Sequence, residues 1–314
     1  MDDLAVILVS HSQAAWLRPC LQSVFASAGT ATIDVVVVSN GDDGSAEIVE
    51  GEFPAVRSLR TENRGFAHAN NVGLASTDAR YVLFLNVDTE VLEGTFGDLV
   101  AALDARAEVG VAGVRQVDGA GAVAPTIRRF PSPVRSLAEA FGAERFPIRA
   151  RWLGERELDR RAYASERSCD WVSGSFLVVR RAVLEDVGSL DDRFFLYSEE
   201  PDLCLRARER GWDVRYLPVM TIVHHHEDTP LTPILAAQDA FARLQFARKH
   251  FAAVTRVAYR ASLGVGYAIR AVSPGSGRAA RRRSARSALR VVLGRAGSPF
   301  ATEGGRSLGP RTQQ

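Results

Sequence analysis

The sequence predicts a doubly wound α/β sheet, and three observations carry that expectation. Short continuous apolar runs, Leu4–Val9, Val35–Val38 and Tyr81–Leu85, have the length and β-branched or aromatic content of strands buried on both faces. Between them, apolar residues recur at helical spacing. The order is strand, helix, strand, helix, which requires helices on both faces of a mainly parallel sheet. Such sheets bind ligands beyond the carboxyl ends of their strands.

Each element follows from its own pattern. Leu17, Leu21, Val24 and Phe25 mark the first helix, with Pro19 expected in its first turn, where a missing N–H costs little. Val56–Leu59 reads as a strand, Phe66–Ala75 and Phe96–Ala105 as helices, and Val109–Val114 as a strand. From Arg115 to Ser168 the periodicity decays into Arg, Pro and Gly, as in an irregular insertion, and it returns as a strand over Trp171–Val179. A helix follows Pro201, then strands Val214–Leu217 and Thr221–Val223, and a helix over Thr232–Phe251. Beyond Ser273 the composition shifts to Gly, Ser and Arg.

Charge divides the chain. From Arg256 onward twelve arginines face one acid, Glu303, so this end carries a charge of +11 while the whole chain carries a formal +2. An acidic body suits a cation-dependent site and a basic end suits an anionic partner. The Arg278–Arg295 segment sets Ala285, Leu289, Val292 and Leu293 on one side among arginines, which fits either an interfacial helix on anionic lipid or a disordered basic tail. It lacks interleaved aromatics, which argues against nucleic acid. Cys20, Cys169 and Cys204 have no metal-ligand spacing and read as small buried residues of a reducing compartment. A strand-like run begins at Leu4 behind Asp2 and Asp3, unlike a signal peptide, and Arg256, Arg260 and Arg270 interrupt the best apolar span. A soluble or peripheral protein is therefore expected.

Four segments carry chemistry. Asn86-Val87-Asp88 follows the strand Tyr81–Leu85, where a carboxylate can hold a divalent cation against a diphosphate, although Asn and Asp are also ordinary turn residues there. Glu199-Glu200-Pro201-Asp202 opens a helix, whose positive end favours ionised carboxylates whether as caps or as a general base. His224-His225-His226 ends a strand; imidazole ligates metals, but alternation keeps adjacent histidines from facing one site. In Asn63–Asn71, Gly65 allows close backbone approach, and Arg64 with the asparagines offers donors to phosphate or sugar hydroxyls.

Taken in order, these segments resemble family 2 glycosyltransferases of the GT-A fold, in the rhamnosyltransferase-like branch. The likeness runs from Val6–Ser10 to about Phe251. It takes in Ser39-Asn40-Gly41-Asp42-Asp43-Gly44-Ser45, Asn63–Asn71, Asn86-Val87-Asp88, Asp170-Trp171-Val172-Ser173-Gly174, Phe194–Leu203 and the histidines. The resemblance implies a catalytic domain over 1–251 and a basic C-terminal tail over 252–314, with an amphipathic helix and a disordered end. It implies Asp88 as ligand of Mg²⁺ or Mn²⁺ and of diphosphate, with His224 completing the shell and His225 as fallback. Ser10, Asn40, Asp43, Arg64, Asn70 and Asn86 fall to the nucleotide sugar. Asp170, Trp171, Gly174 and Glu199 fall to the acceptor, and Glu200 to the catalytic base.

Three departures stand out. The nucleotide loop begins Ser39-Asn40 where the family usually has Asp-Asn, and it is one residue shorter, which leaves dTDP- and UDP-linked donors both open. Glu200 stands where the family has Asp, lengthening its reach by a methylene, roughly 1.5 Å, and leaving Asp202 as the alternative base. His68-Ala69 replaces paired glycines. The implied reaction is inverting transfer of a sugar, with rhamnose a candidate, to a glycan or lipid-linked acceptor of cell-wall or surface-polysaccharide synthesis. It is expected in the cytoplasm, at the inner face of the plasma membrane. The alternative is an inactive nucleotide-sugar-binding protein of the same fold. A nucleotidyltransferase is disfavoured, because Val9-Ser10-His11-Ser12-Gln13 lacks a Gly-rich phosphate loop.

Overall fold

The computed structural model describes residues 2–142, 153–225, 231–273, 278–300, 302–303 and 306–307. These fall into two compact units. The first comprises 1–128, 159–192 and 200–228; the second comprises 129–158, 193–199 and 229–314. The boundary thus lies near 228, not at the expected 251, and the middle insertion is shared between the units.

The first unit is a mixed α/β sheet. Strands β1 (Leu4–Ser10), β2 (Ile33–Ser39), β3 (Arg57–Arg60) and β4 (Tyr81–Asn86) run parallel in the order β3-β2-β1-β4. The sheet continues through β10 (Phe176–Arg180), β6 (Val109–Val117), β11 (Asp213–His224) and β5 (Thr89–Glu93). Here β10 is antiparallel to both its neighbours, β11 is parallel to β6, β5 returns antiparallel on β11, and the short β8 (Arg167–Ser168) pairs antiparallel with β11 off this path. Every residue of β1 is buried, as its unbroken apolar run requires. Helices α1 (Ala14–Ala26), α2 (Ser45–Glu52), α3 (Phe66–Leu74), α4 (Phe96–Asp104), α6 (Arg181–Val187) and α7 (Glu199–Glu209) accompany the sheet. The principal core joins Leu17, Cys20, Leu21 and Val24 of α1 to Val6, Leu8, Val35, Val37, Leu83 and Leu85. All three cysteines are free and buried.

Several local expectations change. Helix α1 begins at Ala14, so Pro19 lies inside it and not in its first turn. The Ala15 carbonyl therefore receives no bond from that position. The run Trp171–Val179 is not one strand. It divides into β9 (Trp171–Val172), which pairs with β7 (Ile127–Arg128), and β10, with Ser173-Gly174-Ser175 between them. The two strands expected around Pro218 are instead one, β11, whose pairing with β6 shifts register between Tyr216 and Thr221.

The second unit is helical. It contains α5 (Pro133–Ala140), α8 (Pro233–His250), α9 (Ala253–Val272) and α10 (Ala279–Val292). Residues expected to form a tail are therefore largely two packed helices. Ala288, Val291 and Val292 of α10 are buried in a core with Ala236, Ala240, Leu244, Tyr259 and Leu263. The apolar side of α10 is thus spent on its neighbours. Among the described residues no helix is long and apolar enough to cross a membrane.

An ionic cluster is built into this unit. Arg243 Nη1 lies 3.0 Å from Glu155 Oε2, its Nε lies 3.1 Å from Asp239 Oδ2, and Tyr267 donates to Asp239 at 3.2 Å. Burial pushes the Glu155 carboxyl above its ordinary range, Arg243 opposes that rise, and Glu139 adds to it. Removing the cation would strand Glu155, whose side chain is only 4% exposed. Arg243→Met should therefore lower stability by roughly 3 kcal/mol in urea or thermal unfolding, with a smaller loss for the double variant that also carries Glu155→Gln.

Candidate active site

Every predicted site residue except Glu199 belongs to the first unit, and most sit at carboxyl ends of strands or in the loops that follow. Ser10 ends β1 and is fully buried, its Oγ 2.7 Å from Ser45 Oγ. Asn40 follows β2, and its N–H donates to the Ser10 carbonyl at 3.1 Å. Asp43 clamps the loop: Oδ2 accepts from the N–H groups of Gln13 (2.8 Å) and Ala14 (3.1 Å), and Oδ1 from that of Ser45 (3.1 Å). Burial alone would raise this carboxyl, but the donors from Ser45, Gln13 and Ala14 outweigh it and hold the group below its usual value. Asp43 thereby fixes the first turns of α1 and α2.

Gly65 opens α3 at φ 103°, a conformation open to glycine and costly for other residues, with its N–H bonded to Asn63 Oδ1. Arg64, just before it, is exposed. Asn70 is buried in α3 and donates to the Phe66 carbonyl at 3.0 Å. Ser39 Oγ, Asn40 Oδ1 and Asn70 Oδ1 are buried without a hydrogen-bond partner among the described residues. Unmet buried groups cost about 1–3 kcal/mol each, so they favour a ligand that brings N–H or O–H donors.

The structure brings Asp88 and His224 together. Asn86 ends β4, and the turn after it buries Val87 and leads straight into β5. Thr89 donates to the Asn86 carbonyl at 2.7 Å and closes the turn. Because β5 pairs with β11 in a register that sets His224 opposite Thr89, His224 Nε2 comes within 3.3 Å of Asp88 Oδ1. The adjacent His225 faces elsewhere, its Nε2 2.7 Å from Glu90 Oε1 and its ring stacked on Trp16. An ionised carboxylate only accepts, so that nitrogen carries the hydrogen and is closed to a metal. His226 lies outside the described residues. Asp88 and His224 offer one oxygen and one nitrogen donor at a nearly buried place, a set that fits Mn²⁺ well. No cluster of three or more His, Cys, Asp and Glu able to hold a metal occurs among the described residues. Further coordination would fall to ligand oxygens and water.

The second focus is Glu200 in the first turn of α7. Gly174, between β9 and β10, lies directly against it: a Cβ on Gly174 would sit 2.7 Å from the Glu200 Cδ. Burial raises the Glu200 carboxyl, and the Arg128 charge and the Gly174 N–H partly oppose that rise. The Arg128 guanidinium lies 5.5 Å from the Trp171 ring, so the predicted acceptor segment and the predicted base meet. Asp170 and Trp171 are partly exposed, whereas Glu199 is only 2% exposed, so its carboxylate offers little surface to an acceptor. Asp202 is fully buried, and its Oδ2 accepts from Arg206 Nε at 2.9 Å. That guanidinium also donates to the carbonyls of Val187, Gly188 and Ser189, so Asp202 anchors a loop.

No sequence signal marks Arg128, which lies in the stretch expected to be irregular, or Glu90 and Trp16, whose roles depend on strand register. Tyr197 and Ser198, within the Phe194–Leu203 segment, both hold φ 70° immediately before α7, a conformation that their residue types do not signal. Left-handed backbone at two consecutive non-glycine residues costs about 1–2 kcal/mol each, and such strain concentrates at functional sites.

The chain is similar to known enzymes in sequence and in fold. The glycosyl transferase family 2 model matches residues 5–188. An N-acetylglucosaminyl-diphospho-decaprenol L-rhamnosyltransferase of Mycobacterium tuberculosis is 32% identical over 240 residues, covering 71% of this chain and 76% of its own. The rhamnosyltransferase WbbL of Escherichia coli is 23% identical, covering 71% of this chain and 84% of its own. Among solved structures, the mannosyltransferase PcManGT of Pyrobaculum calidifontis, in complex with GDP-Man and Mn²⁺, aligns with a TM-score of 0.57 at 15% identity, over 94% of this chain and 90% of its own. GalNAc-T7 with UDP, GalNAc and Mn²⁺ aligns at 0.61 and 11% identity over 84% of this chain, which spans about half (51%) of that structure. The likeness to these two establishes a GT-A fold. The chain belongs to glycosyl transferase family 2, in its rhamnosyltransferase-like branch.

The contact at Gly174 gives a direct test. Gly174→Ala should displace the Glu200 carboxylate and lower kcat by about 100-fold, with little change in the melting temperature. Initial rates and a thermal melt on the same preparation check both.

Proposed function

We propose that this protein is an inverting glycosyltransferase that moves a sugar from a dTDP- or UDP-linked donor to a glycan or lipid-linked acceptor, with Glu200 as catalytic base. The observation that carries this reading is the Glu200 carboxyl, raised by burial and set against Gly174 beside the Trp171 segment. A carboxylate whose pKa is raised takes a proton more effectively than a free one. Glu200 accepts the acceptor hydroxyl's proton as that oxygen bonds to the anomeric carbon. The bond from that carbon to the diphosphate breaks on the opposite side, and the nucleoside diphosphate leaves with the electron pair.

Asp88 and His224 are the residues that would hold a divalent cation, which when bound supplies positive charge to the departing diphosphate. The loop at Ser39, Asn40 and Asp43, with Ser10, Arg64, Asn70 and Asn86, is assigned to the nucleotide sugar. The unmet oxygens of Asn40 and Asn70 suit the donor groups of a base and ribose. Asp170, Trp171 and Gly174 are assigned to the acceptor. The Mycobacterium tuberculosis relative, by its name, acts on a diphospho-decaprenol-linked sugar. A lipid-linked acceptor of that kind, rhamnose as donor sugar, and a place in cell-wall or surface-polysaccharide synthesis at the inner membrane face all fit the basic C-terminal region.

Glu200→Gln should reduce transfer by about 10²–10⁴-fold while leaving nucleotide-sugar binding nearly intact. In the wild type the ionised form is the active one, so activity should fall as pH drops through the Glu200 pKa. That midpoint should lie above the roughly 4.3 of a free glutamate, and a pH–rate profile of kcat reads it. In a thermal-shift screen, dTDP- or UDP-sugars should stabilise the protein more with Mn²⁺ than without. Asp88→Ala should remove the Mn²⁺-dependent part of that shift.

A further inference from the structure

Helix α9 is apolar on two opposite sides. One side is spent in the core of the second unit, through Tyr259, Ser262, Leu263 and Gly266. The other holds Val254, Val257, Ala261, Val265, Ala268 and Val272, all exposed. At 100° per residue these six fall within about 80° of one another, so they form one stripe along the helix. Val254, Val257 and Val272 are 82%, 71% and 76% exposed, far more than packing against a neighbour in the chain would leave. Helix α5, which packs on α9 through Ala140 against Gly266, shows the same pattern: Val134, Leu137 and Phe141 are exposed at helical spacing. Exposed apolar surface of this extent marks a contact surface.

Charge identifies what covers it. Neither α9 nor α10 contains an acid, and together they hold Arg256, Arg260, Arg270, Arg281, Arg282, Arg283, Arg286 and Arg290. The last residue of the stripe, Val272, lines an open cavity of about 560 Å³ with Ala271, Ala279, Arg282, Arg283 and Arg286. Guanidinium groups pair with phosphate oxygens, so this cavity offers a headgroup site at the end of an apolar track. A second copy of the chain would bring the Arg282, Arg283 and Arg286 charges together at the end of the stripe; an anionic bilayer neutralises them.

We propose that the α9 stripe, with the Arg282-Arg283-Arg286 cavity at its end, is the surface by which this protein docks on an anionic phospholipid bilayer. The valines enter the acyl boundary and the arginines bind phosphodiester headgroups. This rests on the reading that the enzyme works at a membrane, and it names α9 as the inserting element where the sequence had suggested α10.

Co-sedimentation of the full chain with phosphatidylcholine vesicles, with or without about a third phosphatidylglycerol, tests it. Binding is expected only to the anionic vesicles and should weaken with salt. The Val257→Asp/Val265→Asp variant should bind at least about tenfold more weakly, and Arg282→Gln/Arg283→Gln/Arg286→Gln should bind more weakly and lose most of the salt dependence. Circular dichroism melts and the nucleotide-sugar thermal shift should match the wild type, which shows the variants folded. Wild-type protein that stays in the supernatant, or stripe variants that bind like the wild type, would overturn the proposal. So would light scattering that shows a wild-type dimer lost in the stripe variant, since a second copy would then be the occupant. Wild-type protein that binds vesicles but transfers no sugar to any acceptor would instead overturn the proposed function and leave the docking surface standing.

Discussion

The pairing of β5 with β11 determines where this enzyme's chemistry can be placed. Asp88 follows a parallel strand and His224 ends the last strand of the sheet, so nothing local brings them together. The chain does so by turning directly out of β4, burying Val87, and running back antiparallel on β11. The His225 N–H then donates to the Asp88 carbonyl at 3.0 Å, and both side chains are held nearly out of solvent. A one-residue slip in that register would exchange His224 for His225, whose own place is fixed by Glu90 and Trp16. The register thus selects one histidine of the run, which residue type alone leaves open.

The same dependence on register separates what was legible in the sequence from what was not. Strands β1, β2 and β4 were visible because strands buried on both faces must be continuous apolar runs, and their limits moved by no more than two residues. Asp88 and His224 were visible as residue types at strand ends. Arg128 was invisible because β7 is two residues long, too short for any periodicity, and its relation to Glu200 exists only through folding. Pro19 misled because one proline marks a first turn only when the helix start is already known. The division of Trp171–Val179 into two strands was hidden because a single glycine in an apolar run does not mark a break; Gly174 lies in the turn between β9 and β10 and leaves space beside Glu200.

At Glu200 several costs converge. The carboxylate is taken out of water, the glycine beside it gives up the packing a side chain would add, and Tyr197 and Ser198 ahead of it hold left-handed backbone. A stability-driven sequence would relieve each of them, because each is locally unfavourable. Two residues on, Asp202 shows the opposite outcome on the same helix: a fully buried carboxylate committed to Arg206 and, through it, to three loop carbonyls. One carboxylate holds the helix in place and the other is left raised and adjacent to open backbone. That division of labour, more than residue identity, distinguishes them.

The C-terminal region shows how a charge count and a helical pattern can point to an element that folding has already used elsewhere. Counting arginines identifies an anionic partner, and a helical wheel of residues 278–295 finds an apolar side to offer it. Folding gives that side to α8 and α9 instead, through Ala288, Val291 and Val292, with Ala236, Ala240 and Ala247 of α8 small enough to let the helices close on one another. Helix α9 escapes a search for amphipathic pattern because its second apolar side blurs the contrast between faces. Only its burial pattern, Tyr259 and Leu263 inside against Val257 and Val265 outside, separates the side that holds the unit together from the side left for a partner.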